Sequence, residues 1–265
     1  MLGSKVLKLE LLDESRQLIP RARATGFVLN DPDGLHLYTC WHVVTGVDFM
    51  RPSPKEPPLR RAFVRICHQD VEEHSAGVRV IGGSETTVIP LYDESEQFLW
   101  QQEPNNREQP DLDSLGIRVP KFVDLVRIRI ALDPLVQDTA SFDASDVHLN
   151  LLLMGTDVYI AGYPYGYSAL GLFSPEPIFL KRAIASARTP SAAMILLDGG
   201  GAPAMSGAPI LIPEAGRWQI SGVYGGIIFP DHLNGPEGAR NDRSAALGIM
   251  VPLWIARAFL GVPRA

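Results

Sequence analysis

Residues 24–44, ATGFVLNDPDGLHLYTCWHVV, carry the clearest structural signal of the chain. Two apolar segments, ATGFVLN and HLYTCWHVV, flank the turn sequence DPDG, in which proline, aspartate and glycine favour a tight reversal of the chain. Apolar segments on both sides of such a turn are typical of a β-hairpin. The stretch therefore predicts two antiparallel strands, with a titratable side chain, His42, at the end of the second apolar run.

Strand patterns continue outward from this hairpin along nearly the whole chain. They are KVLKLELL, AFVRICHQ, GVRVIG, TTVIPLY, LVRIRIA, DVYIAGY, IFLKRAIASA, AMILLD, APILIP, WQISGVYGGIIF and ALGIMV, with glycine and proline turns between them. Only the last segment has a helical pattern, in which Pro252 opens LWIARAFL and Gly261 ends it. Many short strands predict an all-β sandwich or barrel.

The loops divide the chain into two halves. The segment 50–61 is rich in proline, and the span Asp93–Lys121 is polar and predicts a long loop. The strand pattern breaks again near 133–150, which separates an N-terminal unit, 1–135, from a C-terminal unit, 150–265. The clustered arginines of the chain, Arg60, Arg61 and Arg65 among them, are interpreted as solvated loop charges because carboxylates are scattered around them.

The composition excludes several classes of protein. A net charge of −6 over 265 residues argues against nucleic-acid binding, which needs a basic face. Two cysteines build neither a disulfide framework nor a zinc site. Lys5, Lys8 and Glu10 interrupt any apolar signal core, and Pro252 and Arg257 interrupt the apolar segment 246–262. The sequence predicts a cytoplasmic protein without a membrane span.

Three residue types in suitable settings point to nucleophilic catalysis. A hydroxyl nucleophile needs a base to accept its proton, and that base needs an anion to fix its tautomer. Ser206 lies in the small-residue turn GGGAPAMSGAPILI, where backbone N–H groups can converge on an oxyanion. Asp124 opens the apolar strand DLVRIRI, and His42 ends LHLYTCWH. These residues are the candidate nucleophile, orienting carboxylate and base.

Five short motifs carry a family resemblance in the order His, Asp, Ser. They are TCWHVV at Thr39–Val44, DLVRI at Asp124–Ile128, GYPYG at Gly162–Gly166, AMSGAP at 204–209 and GIMVP at Gly248–Pro252. In this pattern the chain resembles the chymotrypsin-like serine proteases, and more closely their bacterial high-temperature-requirement (Deg-type) branch. The resemblance covers nearly the whole chain, but the 93–121 insertion has no counterpart in the family.

The resemblance implies two six-stranded antiparallel β-barrels, with the active site between them and a short C-terminal helix. His42 and Asp124 would come from the first barrel and Ser206 from the second. The N–H groups of Ala204 and Ser206 would form the oxyanion hole. The implied activity is that of a serine endopeptidase acting on a protein or peptide substrate through an acyl-enzyme, without a metal or cofactor.

Three positions depart from the family pattern, and the mildest change is the alanine at 208, where a second glycine is usual. Position 204 is usually glycine, and an alanine there costs roughly 1–2 kcal/mol if the backbone must be left-handed. Met205 replaces the aspartate with which trypsin-like zymogens capture a new N-terminus, so no activation of that kind is expected. Alanine at 204 leaves two further hypotheses: a protease-like binding module with little turnover, and an enzyme that depends on an activating protein partner.

Other assignments follow from the same reasoning. Gly200, Val223, Tyr224 and Gly225 are the candidate substrate-binding residues, and uncharged residues there favour a small or apolar side chain before the scissile bond, although Asp198 is close. The rival orienting carboxylates are Asp111 and Asp113.

The segment HQDVEEH, 68–74, fits neither a zinc nor a calcium spacing, so no metal is predicted. Cys40 is predicted to be buried rather than nucleophilic, since it shares a strand with the base.

Overall fold

The computed structural model describes residues 5–47, 59–73, 79–104, 122–131, 141–167, 176–186, 194–228 and 246–256, and they are mostly β-structure. The strands are β1 Val6–Leu12, β2 Leu18–Asp31, β3 Gly34–Thr39, β4 Phe63–Glu73, β5 Arg79–Pro90, β6 Trp100–Pro104, β7 Phe122–Arg129, β8 Ser141–Asp143, β9 Asp157–Gly162, β10 Ile178–Ser186, β11 Ile195–Leu197, β12 Pro209–Glu214, β13 Arg217–Ile228 and β14 Leu247–Pro252. The helical segments are short: α1 Trp41–Thr45 and 3₁₀ turns at Ala144–Asp146, Pro164–Gly166 and Leu253–Ala256. The all-β prediction is confirmed.

The hairpin predicted from residues 24–44 is confirmed. Strands β2 and β3 pair antiparallel, and the Asp31–Gly34 pair closes a two-residue loop. Gly34 has φ of +128°, a conformation that a residue with a Cβ rarely adopts. The buried rings of Phe27 and Tyr38 stack directly across this hairpin, with centroids 5.4 Å apart. The turn chemistry and the cross-strand aromatic pair therefore fix the same register.

The N-terminal strands form one curled sheet of eight strands. Its order is β5-β4-β1-β2-β3-β7-β6, and β8 adds to β2 in parallel. No ladder joins the terminal strands β5 and β6 within the described ranges, so the predicted closure into a first six-stranded barrel is not confirmed. Alternating apolar residues predict which strands form, but they do not specify whether the two edges of a sheet meet.

Strand β6 lies inside the span that the sequence predicts to be a loop, and for residues 100–104 that prediction is wrong. Trp100 pairs with Ile128 of β7 and is buried. After Trp100 the strand consists of the residues QQEP, so its composition resembles that of the polar segment around it. Residues 105–121 lie outside the described residues.

The C-terminal strands form a closed barrel in the order β10-β11-β14-β13-β12-β9, and the second predicted six-stranded barrel is confirmed. Strand β13 carries a bulge at Gly225, where the register with β14 shifts between Tyr224 and Gly226. The described chain ends in the 3₁₀ turn Leu253–Ala256. Residues 257–265, which would complete the predicted C-terminal helix, lie outside the described residues, so that helix stays a prediction.

The curled sheet and the barrel share one apolar core, and hydrogen bonds join them. The Tyr163 hydroxyl donates to the Val6 carbonyl at 2.9 Å, and the Thr25 N–H donates to the Ser206 carbonyl at 2.9 Å. These bonds hold the C-terminal end of β9 and the Ser206 turn against β1 and β2. None of the helices in the described ranges is long and apolar enough to cross a membrane.

Candidate active site

His42 lies in the short helix α1. The sequence pattern predicts it at the end of a strand, and that prediction is wrong. Strand β3 ends at Thr39, and α1 begins at Trp41. Helix α1 is only five residues long because Gly46 follows it with φ of +76° and donates to the His42 carbonyl at 3.0 Å. Val43 and Val44 face the core, whereas the His42 side chain is 23% exposed. The helix thus buries its apolar face and presents the imidazole to solvent.

Asp124 is the carboxylate that orients this imidazole. Strand β7 pairs with β3, which brings its third residue beside the start of α1. The Asp124 Oδ2 lies 2.8 Å from His42 Nδ1, and Oδ1 accepts the His42 backbone N–H at 3.0 Å. Because a carboxylate accepts at Nδ1, that nitrogen carries the proton and Nε2 is left as the basic nitrogen. Asp124 is buried, and its rivals, Asp111 and Asp113, lie outside the described residues.

Ser206 lies in a tight turn between the barrel and the curled sheet. Met205 and Ala208 on either side of it are fully buried, and β12 begins one residue after Ala208. Gly207 has φ of +87°, and a Cβ there would collide with the Thr25 carbonyl and the Thr39 hydroxyl. A glycine is therefore required after the serine, because the turn lies directly on β2 and β3.

The backbone amides of residues 204 and 206 are the candidate oxyanion donors. Ala204 has φ of +70°, the left-handed conformation that the departure from glycine had put in question. The carbonyls that precede the two amides, those of Pro203 and Met205, each accept a backbone hydrogen bond, at 2.6 and 2.9 Å. Since C=O and N–H point in opposite directions across a trans peptide, the N–H groups of Ala204 and Ser206 point away from those bonds. Neither amide donates a hydrogen bond to any described residue.

Thr25 holds this turn in place, and sequence reasoning missed it. Its hydroxyl donates to the Ala204 carbonyl at 2.9 Å and accepts the Tyr163 N–H at 3.2 Å. Its own N–H donates to the Ser206 carbonyl at 2.9 Å, and its carbonyl accepts the Thr39 hydroxyl at 3.0 Å. One buried threonine of β2 thereby fixes the peptide groups on both sides of Ser206. Nothing in the local pattern of β2 distinguishes it from any other strand residue.

A cleft of about 340 Å³ brings the three predicted residues together. His42, Asp124 and Ser206 all line it, and the other lining residues are Gly46, Val47, Arg61, Gly225, Gly226, Ile227 and Ile249. The lining combines a base, its carboxylate and a hydroxyl with bare backbone of strand β13. This arrangement can support attack of a hydroxyl on a bound carbonyl group.

Of the four predicted substrate-binding residues, Gly225 alone lines this cleft. Val223 and Tyr224 are buried in the barrel, and Gly200 lies outside the lining. The Tyr224 hydroxyl accepts the Gly201 N–H at 2.5 Å, and burial raises the pKa of this phenol to about 12. A Cβ at Gly201 would lie only 2.9 Å from the Tyr224 ring. The ring of Tyr224 therefore packs directly against Gly201.

Cys40 approaches the His42–Asp124 pair, and together the three residues have the geometry of a cation site. The thiol is fully buried and donates to the Tyr224 carbonyl at 3.3 Å. Burial, and next the charge of Asp124, raises the pKa of the thiol well above its usual value. A thiolate is therefore disfavoured, which suits neither a metal ligand nor a nucleophile.

Arg61 reaches the cleft beside His42, and for this residue the interpretation as a solvated loop charge is wrong. Its Nη1 donates to the carbonyls of His42, at 3.0 Å, and Val43. Burial lowers the pKa of its guanidinium to about 10. The neighbouring Arg60, in contrast, is exposed and pairs with surface glutamates, as predicted.

The closed barrel, the curled sheet and the shared cleft are compatible with a chymotrypsin-like fold. No protein-family model matches the chain, and no curated protein is significantly similar to it in sequence.

Proposed function

We propose that this chain is a serine endopeptidase that cleaves peptide bonds through an acyl-enzyme. The observation that carries the proposal is the Asp124–His42 pair, joined by two hydrogen bonds of 2.8 and 3.0 Å, in the same cleft as Ser206. A buried carboxylate that fixes both the ring and the backbone of a partly exposed histidine is the arrangement a general base requires.

In the proposed reaction Ser206 Oγ attacks the scissile carbonyl while His42 Nε2 accepts its proton. Asp124 stabilises the imidazolium that forms, without taking the proton itself. The N–H groups of Ala204 and Ser206 donate to the oxyanion of the tetrahedral intermediate, and the loss of one such donor costs on the order of a hundredfold or more in rate. His42 then protonates the leaving amine. Water, activated by the same ring, hydrolyses the acyl-enzyme in the second half of the cycle.

The proposal is tested with a fluorophosphonate probe and intact-mass spectrometry. We expect a single adduct on the wild-type protein, none on Ser206→Ala and nearly none on His42→Ala, because the hydroxyl reacts only when the base removes its proton. A wild-type protein that stays unlabelled under conditions where a known serine hydrolase is fully labelled would contradict the proposal. An adduct that persists in Ser206→Ala would place the reactive group elsewhere.

A second candidate function is that of a protease-like binding module with little turnover. The observation that favours it is Ala204, a non-glycine residue in the left-handed conformation at the oxyanion hole. A residue held in this region carries strain of order 1–3 kcal/mol. The turn conformation that presents the amides of residues 204 and 206 to an oxyanion is therefore harder to maintain. Digestion of a peptide library separates the two functions: tight retention of peptides without any cleavage favours the binding module.

A further inference from the structure

Arg61 is a cation in the lining of the cleft, and some of its N–H donors have no acceptor among the described residues. Its Nη1 donates to the carbonyls of His42 and Val43, which anchors the guanidinium to the backbone of the proposed base and of the next residue. Its Nε and Nη2 donate to no described residue, and no carboxylate of the described residues forms an ion pair with it. A guanidinium that is held through Nη1 can still donate two parallel N–H groups, those of Nε and Nη2, along its other edge.

Its neighbours in the sequence form ion pairs that Arg61 lacks. Arg60 pairs with Glu14 at 3.2 Å and with Glu96, and Arg65 pairs with Glu10 at 3.3 Å. The only carboxylate in the lining of the cleft is Asp124, whose oxygens accept from His42. The cleft therefore contains one guanidinium whose charge is not matched by a salt bridge within the described structure.

We infer that Arg61 binds an acidic side chain of the substrate, an aspartate or glutamate within a few residues of the scissile bond. This inference rests on the proposed function, because it assigns the substrate class of the same cleft. A carboxylate fits the free edge of the guanidinium in a two-point geometry, and the partial burial of Arg61 strengthens such a bond relative to one in open water. With a pKa near 10, Arg61 keeps its charge at neutral pH.

The first test is the cleavage of a proteome-derived peptide library, with the cut sites sequenced by mass spectrometry. We expect acidic residues at one position near the wild-type cut sites to be enriched about tenfold, which corresponds to one charge-assisted hydrogen bond. Arg61→Gln should abolish the enrichment, and Arg61→Lys should retain part of it. The matched control is Arg60→Gln, which makes the same charge change one residue away on the surface and should leave the profile intact.

The result that overturns the inference is a wild-type profile without acidic enrichment, or one that Arg61→Gln leaves unchanged. A merely structural Arg61 would lower cleavage of acidic and neutral peptides equally, so the ratio between them decides. If no variant cleaves any peptide, the proposed function fails, and binding decides the inference separately. Ser206→Ala protein is then incubated with the same library: acidic peptides retained about tenfold over neutral ones, and lost in Ser206→Ala with Arg61→Gln, support it, whereas equal retention overturns it.

Discussion

The curled sheet carries two aspartate–histidine pairs of similar geometry and different surroundings. Asp124 Oδ2 lies 2.8 Å from Nδ1 of His42, and Asp31 Oδ2 lies 3.1 Å from Nδ1 of His36. Both aspartates are buried. The first pair opens onto a cleft with a serine, whereas the second lies within the hairpin that determines the fold. An imidazole paired with a buried carboxylate therefore occurs in two settings, of which the first faces a cleft.

The difference lies in what else binds the carboxylate. Asp31 Oδ2 also accepts the Tyr38 hydroxyl at 2.7 Å and Arg127 Nη1 at 2.9 Å. The His36 side chain is only 3% exposed, and its Nδ1 lies 3.0 Å from the Gly34 carbonyl. Burial raises the pKa of Asp31 despite these partners, and its Oδ1 has no partner among the described residues. The Asp31 carboxylate is thus shared among enclosed side chains, whereas the Asp124 carboxylate accepts from both the ring and the backbone N–H of a partly exposed histidine.

The two aspartates provide the sharpest test of this comparison. Asp124→Asn should lower the turnover of a peptide substrate by about four orders of magnitude, because an amide in place of the carboxylate favours the wrong imidazole tautomer. Asp31→Asn should leave turnover per folded molecule within a few-fold of wild type. Rates measured on active-site-titrated protein check both. Similar losses in the two variants would show that the pairs are not functionally distinct.

Arg127 tests the Asp31–His36 pair through the cation that binds its carboxylate. Its guanidinium binds Asp31 at 2.9 Å and Asp33 at 3.0 Å, and its side chain is almost completely buried. Arg127→Met should lower the free energy of unfolding by about 3–5 kcal/mol, because it leaves a buried carboxylate without its cation. Chemical denaturation measures this loss.

The control for that variant is Arg129→Met, an exposed position on the same strand, which should change stability by less than about 0.5 kcal/mol. The folded fraction of Arg127→Met should still react with a fluorophosphonate. A stability loss as small as that of the control would contradict the role assigned to this ion cluster.

Local signals made part of the molecule predictable from sequence. The DPDG turn specified the hairpin, and the order of five motifs singled out His42, Asp124 and Ser206. The sequence did not reveal sheet closure or strand β6, because edges and isolated strands depend on packing partners far along the chain.

The supporting residues of the site were harder to find for the same reason. Thr25 acts on residues 138 and 179 positions away, and nothing in its own strand marks it. Arg61 lies beside Arg60 in a proline- and arginine-rich segment, so the two had the same interpretation. One pairs with surface glutamates and the other enters the cleft, a distinction that only the three-dimensional fold provides.

Thr25 tests what the Asp124–His42 pair has and the Asp31–His36 pair lacks, a serine hydroxyl in the same cleft. Thr25→Val keeps the shape of the side chain but removes the bonds to the Ala204 carbonyl and from the Tyr163 N–H. We expect a loss of about 1–3 kcal/mol in the free energy of unfolding, since buried polar groups lose their partners. The rate of fluorophosphonate labelling should also fall.

Thr25→Ser retains the hydroxyl and is the matched control, with a labelling rate close to that of wild type. If Thr25→Val is destabilised but labels at the wild-type rate per folded molecule, the hydroxyl serves the fold alone. The position of the nucleophile would then depend on the backbone bond from Thr25 to Ser206.

The smallest effect is expected at Ala204, where glycine should raise stability. The left-handed conformation costs an alanine about 1–2 kcal/mol, and the greater freedom of glycine in the unfolded chain offsets about half of this gain. Ala204→Gly should therefore add about 0.5–1 kcal/mol to the free energy of unfolding, whereas Ala208→Gly, at a buried position without positive φ, should reduce it. Chemical denaturation of both variants measures these two changes in the free energy of unfolding. Labelling then separates the two functions: if strain at residue 204 limits catalysis, Ala204→Gly reacts faster with the probe, and an unchanged rate alongside increased stability means that the oxyanion hole is already formed with alanine.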